Sequence, residues 1–238
     1  MPNPTDVVLS PEDIQSRVLF RDGLIIVLNK PAGIPVHAGF GGGATLEDTF
    51  GHLKFGLPRS PALAHRLDRD TSGCLVLGRH RKALQKLSKL FAASRVNKTY
   101  WAVVNGAPKK DQGRIELPLK KIGSGPGWKM KGDRSGQDAV TDYKVLGKTK
   151  TPVGILFWME LTPHTGRTHQ LRVHCAALGC PIVGDRVYGD RQDSTDESLM
   201  LHARAISLPL YPNRKPVEVM APPPPHMIEA LSACGFKA

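Results

Sequence analysis

The chain is built mainly from short apolar runs of strand length, each stopped by glycine, proline or a polar turn, and this punctuation limits what it can fold into. "DGLIIVLNKPAGIPVH" (22–37) places an apolar strand from Leu24 to Leu28 ahead of a loop containing Pro31, Gly33 and Pro35. "GCLVLGR" reads as a buried strand, and "KTYWAVVNG" as an alternating strand ending at a glycine turn. A short strand is expected over Arg114 to Leu119. "AVTDYKVLGKTKTPVGILFWMELTP" gives two strands joined by a polar turn, and "LMLHARAISLPL" one more.

Helical periodicity interrupts these runs in four places. The glycine-rich "GFGGG" reads as a flexible loop before a helix near 45 to 54, with Thr45 as its cap. "HRKALQKLSKLFAAS" places Leu84, Leu87, Leu90 and Phe91 on one face and a separate stripe of Lys82, Lys86 and Lys89 on another. A third helix is expected to begin at about Thr168, capped by its hydroxyl, and to stop at Gly179; a fourth, Met227 to Cys234, follows the extended "APPPP" spacer. Residues 120–138, rich in Gly, Lys and Ser, read as a mobile insertion. Strand runs adjacent in sequence with helices between them predict an α+β fold, with a mixed, mainly antiparallel sheet core and flanking helices.

At 238 residues with 40% hydrophobic content the chain can bury a substantial core. No stretch approaches the roughly 18 consecutive apolar residues that span a bilayer, and "MPNPTDVVLSPEDIQ" lacks the features of a secretory signal. No membrane contact and a cytoplasmic location are therefore expected. The four cysteines have no CxxC spacing and read as reduced packing residues.

A formal net charge of +12 points to a polyanionic partner. Residues 71–110 contain no Asp or Glu but hold Arg79, Arg81, Lys82, Lys86, Lys89, Arg95, Lys98, Lys109 and Lys110, a one-signed run suited to phosphates.

The densest charge cluster is "AHRLDRDTSGCLVLG" (64–78). A metal centre is not expected. His164, His169 and His174 lie five residues apart, a spacing that turns successive side chains away from one another on either a helix or a strand. A serine hydrolase lacks its GxSxG elbow. Asp68 and Asp70 as an acid–base pair conflict with Arg66 and Arg69, which favour the ionised form of both. Two readings of the cluster remain open from its residues alone: an ion-paired turn, or a single carboxylate held charged at the edge of a basic surface.

"NKPAGIPVH", "HRLDRDTSG", "KTYWAVVNG", "TGRTHQLRVH", "PIVGDRVYG" and "LHA", in that order along most of the chain, resemble the motif set of the RluA-type RNA pseudouridine synthases. The resemblance implies a pseudouridine synthase-like fold with a central RNA-binding cleft. It implies that Asp68 is the catalytic carboxylate, that Tyr100 stacks on the target uracil and that Arg172 pairs with the carboxylate. Arg66 would occupy the space left by the extruded base, and Leu201 would help close the pocket. Arg167, Lys82, Lys86 and Lys89 are assigned to substrate binding, while His65, Arg69 and Asp70 shape the turn.

The implied reaction converts uridine in a ribosomal or transfer RNA stem-loop to pseudouridine without cofactor or metal, and demands no protein partner. Larger relatives carry an N-terminal S4 domain. The expected organisation here is an extension over 1–20 and a catalytic domain over 21–238, without S4. A non-catalytic RNA-binding or RNA-folding protein on the same scaffold is the alternative, and a metal-dependent nuclease using Asp68 and Asp70 is a third reading.

Overall fold

The computed structural model describes residues 9–38, 42–152, 154–189 and 197–237, so the start of the N-terminal extension and residues 39–41 of the glycine-rich loop lie outside the described residues. From its start the chain runs through α1 (Pro11–Ser16), β1 (Val18–Arg21), β2 (Ile25–Lys30), a 3-10 helix (Leu46–Leu53), β3 (Ala62–Leu63), β4 (Ser72–Gly78), α2 (Arg81–Ala92) and β5 (Asn97–Asn105). It continues through β6 (Gln112–Glu116), β7 (Leu119–Ile122), β8 (Lys129–Gly132), β9 (Val140–Thr151), β10 (Gly154–Pro163), α3 (Gln170–Ala177), β11 (Leu201–Leu208), β12 (Val217–Met220) and α4 (Pro225–Ala233). These elements form two compact units, residues 1–98 with 203–222 and residues 99–202 with 223–238. The fold is α+β with a mainly antiparallel sheet.

In the first unit the strands lie in the order β1-β2-β4-β11, with β3 added to β4 and β12 to β11. The whole of β4 is buried, which explains why "SGCLVLG" reads as a continuous apolar run and not as an alternation. It pairs antiparallel with β2, Ile25 opposite Gly78 and Lys30 opposite Gly73. Leu87 and Leu90 of α2 close the core against Ile25, Val27, Cys74 and Val76. The segment near 45 to 54 forms a 3-10 helix, with the Thr45 backbone N–H donating to the Asp48 carboxylate at 2.7 Å. Gly51 within this short segment weakens any α-helical preference.

In the second unit the strands lie in the order β5-β10-β9-β6, every neighbouring pair antiparallel. Along β10, Phe157, Met159, Leu161 and Pro163 are buried alternately with partly exposed residues, the signature of a strand with one covered face. Leu171 and Cys175 of α3 and Met227 and Leu231 of α4 complete this core.

Several boundaries differ from the sequence reading. The short strand falls at 112–116 and not 114–119, and α4 begins at Pro225. The stretch 120–138, expected to be a mobile insertion, has regular structure: most of it belongs to the β7–β8 hairpin, with Trp128 stacked on His169. Thr168 does not cap α3. The N-cap is His169, in the left-handed conformation at φ 53°. The Gln170 side chain closes the turn instead, accepting from the Thr165 hydroxyl at 2.7 Å and the Arg167 N–H at 3.0 Å.

Gly73 is the tightest backbone approach in the first unit. Its φ is +103°, and a Cβ there would stand 2.3 Å from the Ala203 carbonyl oxygen of β11. Gly73→Ala is expected to destabilise the protein by at least about 2 kcal/mol, since backbone strain and a main-chain clash add. Denaturant unfolding checks this, and an unchanged midpoint would contradict it.

Candidate active site

The loop that carries Asp68 joins β3 to β4, and its shape is set from β2. Lys30, the last residue of β2, is 1% exposed, and its ammonium donates to the carbonyls of Pro31 (2.8 Å), Arg69 (2.7 Å) and Thr71 (3.0 Å). An ammonium has three N–H donors, and each finds an acceptor here. Burial lowers the Lys30 pKa to about 7, against the opposing pull of the nearby Asp70 and Asp68 charges. The two motifs are laced together further: the Gly33 N–H donates to the Arg69 carbonyl, and Arg69 Nε donates to the Gly33 carbonyl, both at 3.0 Å.

Within the loop, the Thr71 N–H donates to the Asp68 carbonyl at 3.2 Å. Leu67 is buried, so its neighbour Asp68 is anchored by core packing while remaining only partly buried itself. Arg66, Arg69 and Asp70 are exposed. His65 Nε2 accepts the Val76 N–H at 3.0 Å, and its ring lies 4.8 Å from that of Phe91. Burial of the imidazole, assisted by the Lys98 charge, lowers its pKa to about 4, so it stays a neutral acceptor at neutral pH. His65 and Arg69 therefore shape the turn. On α2, Lys82 and Lys89 are exposed, whereas Lys86 is half-buried with its ammonium 5.6 Å from the centre of the Tyr211 ring.

The second unit holds Tyr100, Arg167, Arg172 and Leu201. Tyr100 on β5 is opposite Leu161 of β10, partly buried against the core. Leu201 is 2% exposed within that same core. Arg167 is exposed, its Nε donating to the Asp138 carbonyl at 3.0 Å.

Arg172 on α3 is buried and forms a two-point ion pair, Nε to Asp185 at 2.8 Å and one terminal nitrogen to the other Asp185 oxygen at 2.7 Å. Asp185 also accepts the N–H groups of Val187 (3.0 Å) and Tyr188 (3.1 Å). Burial opposes the Asp185 charge, but the Arg172 and backbone hydrogen bonds outweigh it and hold the carboxyl below its ordinary pKa. The Tyr188 ring centre lies 5.1 Å from the Arg172 guanidinium, and its hydroxyl is 2.8 Å from His169 Nδ1. This buried carboxylate aims the Nε edge of the guanidinium and so dictates where the rest of it points.

Lys30, Asp185 and Tyr188 were not among the residues expected at the site, and His169 was weighed there only as a metal ligand. Their signals were present in "NKP", "GDRVYG" and "THQ", but each partner is distant in sequence. The three histidines at five-residue intervals have separate uses. His164 faces Asp142 at 2.6 Å, His169 faces Tyr188, and His174 sits between the Thr141 hydroxyl (2.9 Å) and the Leu117 carbonyl (3.1 Å). Among the described residues no three metal-ligating side chains converge. No described helix is long and apolar enough to cross a membrane.

A family model described as RNA pseudouridylate synthase matches residues 24–177. An uncharacterized RNA pseudouridine synthase of Zymomonas mobilis is 44% identical over 225 residues, covering 94% of this chain and 99% of the relative. The mitochondrial RNA pseudouridine synthase 3 of Arabidopsis thaliana is 40% identical over 194 residues, 70% of this chain but 39% of that longer protein. Among solved structures, human RNA pseudouridylate synthase domain containing 4 superposes with a TM-score of 0.79 at 26% identity, covering 96% of both chains.

The chain belongs to the RNA pseudouridylate synthase family. Its members are isomerases that convert uridine in RNA to pseudouridine.

The buried Arg172–Asp185 pair yields a stability prediction. Asp185→Ala breaks a buried two-point ion pair and is expected to cost about 3–5 kcal/mol, whereas the apolar double variant Arg172→Met with Asp185→Leu recovers most of that loss. Denaturant unfolding of the three proteins checks this; a single variant as stable as the double would contradict it.

Proposed function

We propose that this protein isomerises uridines in ribosomal or transfer RNA stem-loops, with Asp68 as the catalytic carboxylate. Family membership together with the Lys30-bound loop that presents Asp68 carries this reading. The reaction breaks the N1–C1′ bond of uridine, turns the base and forms a C5–C1′ bond; C5 gives up its proton and N1 gains one, so the composition is unchanged. Nothing is oxidised or reduced and no outside group is consumed, so the chemistry calls for a charged carboxylate and a pocket, without cofactor or metal. An ionised Asp68 can attack as a nucleophile or stabilise a cationic sugar, and can then accept a proton.

Arg172 is the cation assigned to keep Asp68 ionised, and its own alignment by Asp185 supports that role. The target base must leave the stack at a cost of a few kcal/mol. Stacking on Tyr100 returns roughly 1 to 3 kcal/mol of this, with Arg66 entering the vacated space and Leu201 backing the pocket. Arg167, Lys82, Lys86 and Lys89 supply phosphate contacts, which position RNA without selecting its sequence. Residues 21–238 form the catalytic region on this reading, with 1–20 as an extension, and the protein acts without an obligate protein partner. Free, buried cysteines at 74, 175, 180 and 234 support a reducing compartment such as the cytoplasm.

Tritium release from uridine labelled at C5, in total RNA from cells lacking the gene, tests the assignment. Wild-type protein in EDTA is expected to release tritium and leave the chains uncut. Asp68→Asn is expected to lose at least about a thousandfold in turnover with RNA affinity kept, as for removal of a group acting in the transition state. Near-normal turnover by that variant would remove Asp68 from catalysis.

A further inference from the structure

The β7–β8 hairpin takes no part in the chemistry described so far, yet its composition and register are unusual. Residues 117–132 contain Lys120, Lys121, Lys129 and Lys131 and no Asp or Glu. Lys120 stands directly opposite Lys131, and Ile122 opposite Lys129. Directly opposed residues share a face and side chains alternate along a strand, so Lys120, Lys129 and Lys131 lie together with Ile122 on one face. Leu119 and Met130 belong to the other face, packed with Val173, Ala139 and Tyr188. All three lysines are exposed.

Like charges directly opposed across a strand pair destabilise it, so this face is not arranged for the hairpin's own stability. Asp133 is an acidic group within reach of Lys120 and Lys131, and it is engaged with the Ser135 N–H and hydroxyl, both at 2.8 Å. Lys120 also donates to that hydroxyl at 3.1 Å. Three exposed ammonium groups on a hairpin without an acidic residue of its own give this face a positive excess.

The hairpin is also seated firmly. The Met130 N–H donates to the Tyr188 hydroxyl at 2.9 Å, and Trp128 stacks on His169 with ring centres 5.2 Å apart. Lys121 lies 4.9 Å from the centre of the Trp128 ring. The same Tyr188 flanks Arg172, so the arm and the aimed guanidinium rest on one support. A surface ordered in advance spends less of its interaction energy on immobilising itself when a ligand arrives.

We propose that the lysine face of the β7–β8 hairpin, formed by Lys120, Lys129 and Lys131, clamps the phosphate backbone of the RNA substrate. The inference rests on the RNA-isomerase reading for the identity of its polyanion. The contact is electrostatic and independent of sequence, and it supplies affinity and orientation outside the pocket.

The test uses the full chain carrying Lys120→Gln, Lys129→Gln and Lys131→Gln together, titrated against a labelled RNA stem-loop with uridines in its loop over a range of KCl. Affinity at low salt is expected to fall by at least about tenfold, and the slope of log affinity against log salt to flatten by about 2, the share of three phosphate contacts. Lys131→Gln alone relieves the opposed pair, so its melting temperature should hold or rise while its affinity falls, a split that a purely structural role would not produce. Unchanged affinity and slope in both variants would overturn the proposal. So would a loss confined to polyglutamate, an outcome that assigns the face to an acidic protein. Wild-type tritium release on the C5-labelled RNA separates the two claims: release with an unaltered variant slope sinks the hairpin alone, and a flattened slope without wild-type release sinks the isomerase reading alone.

Discussion

A buried ammonium organises the first unit. Lys30 ends a strand whose other residues are apolar or paired, and its charge is affordable there because three carbonyls converge on it. Two of those carbonyls, from Arg69 and Thr71, belong to the segment that begins with Asp68. The loop's path therefore follows from where β2 ends, and β2 is placed by its register with the fully buried β4. Asp68, the proposed catalytic carboxylate, therefore sits on a turn whose backbone is pinned by the Lys30 ammonium.

The second unit solves the matching problem for a cation. A buried arginine is held by a buried carboxylate, and that carboxylate by two backbone N–H groups. The arrangement is costly to desolvate, and a better-packed apolar pair would serve stability equally well or better. What it provides is orientation: two parallel hydrogen bonds leave the guanidinium little freedom to swing. Tyr188 extends the arrangement outward to the hairpin, so a surface contact and an internal cation share their footing.

Much of the strand framework was legible because burial writes itself into the residue pattern. The unbroken apolar run at 72–78 is a strand covered on both faces, and the alternation in β10 is a strand covered on one. The hairpin at 119–132 was not legible, since Gly, Lys and Ser there resemble a loop and its order comes from a Met130–Tyr188 bond between residues 58 positions apart. Lys30 escaped notice for the same reason, its acceptors in the Asp68 loop lying 39 and 41 residues downstream. The charges at 65–70 were ambiguous alone because a turn and a reactive carboxylate use the same residue types. Only the ordered set of motifs along the chain separated Asp68 from its neighbours.

On the proposed reading, this protein converts specific uridines in RNA to pseudouridine and Asp68 is indispensable to that conversion. Mapping pseudouridines across total RNA from cells lacking the gene, complemented either with the wild-type chain or with Asp68→Asn, tests it most directly. The expected result is a small set of uridines modified with the wild-type chain and unmodified with the variant at equal protein level. Identical maps from the two complemented strains would contradict it.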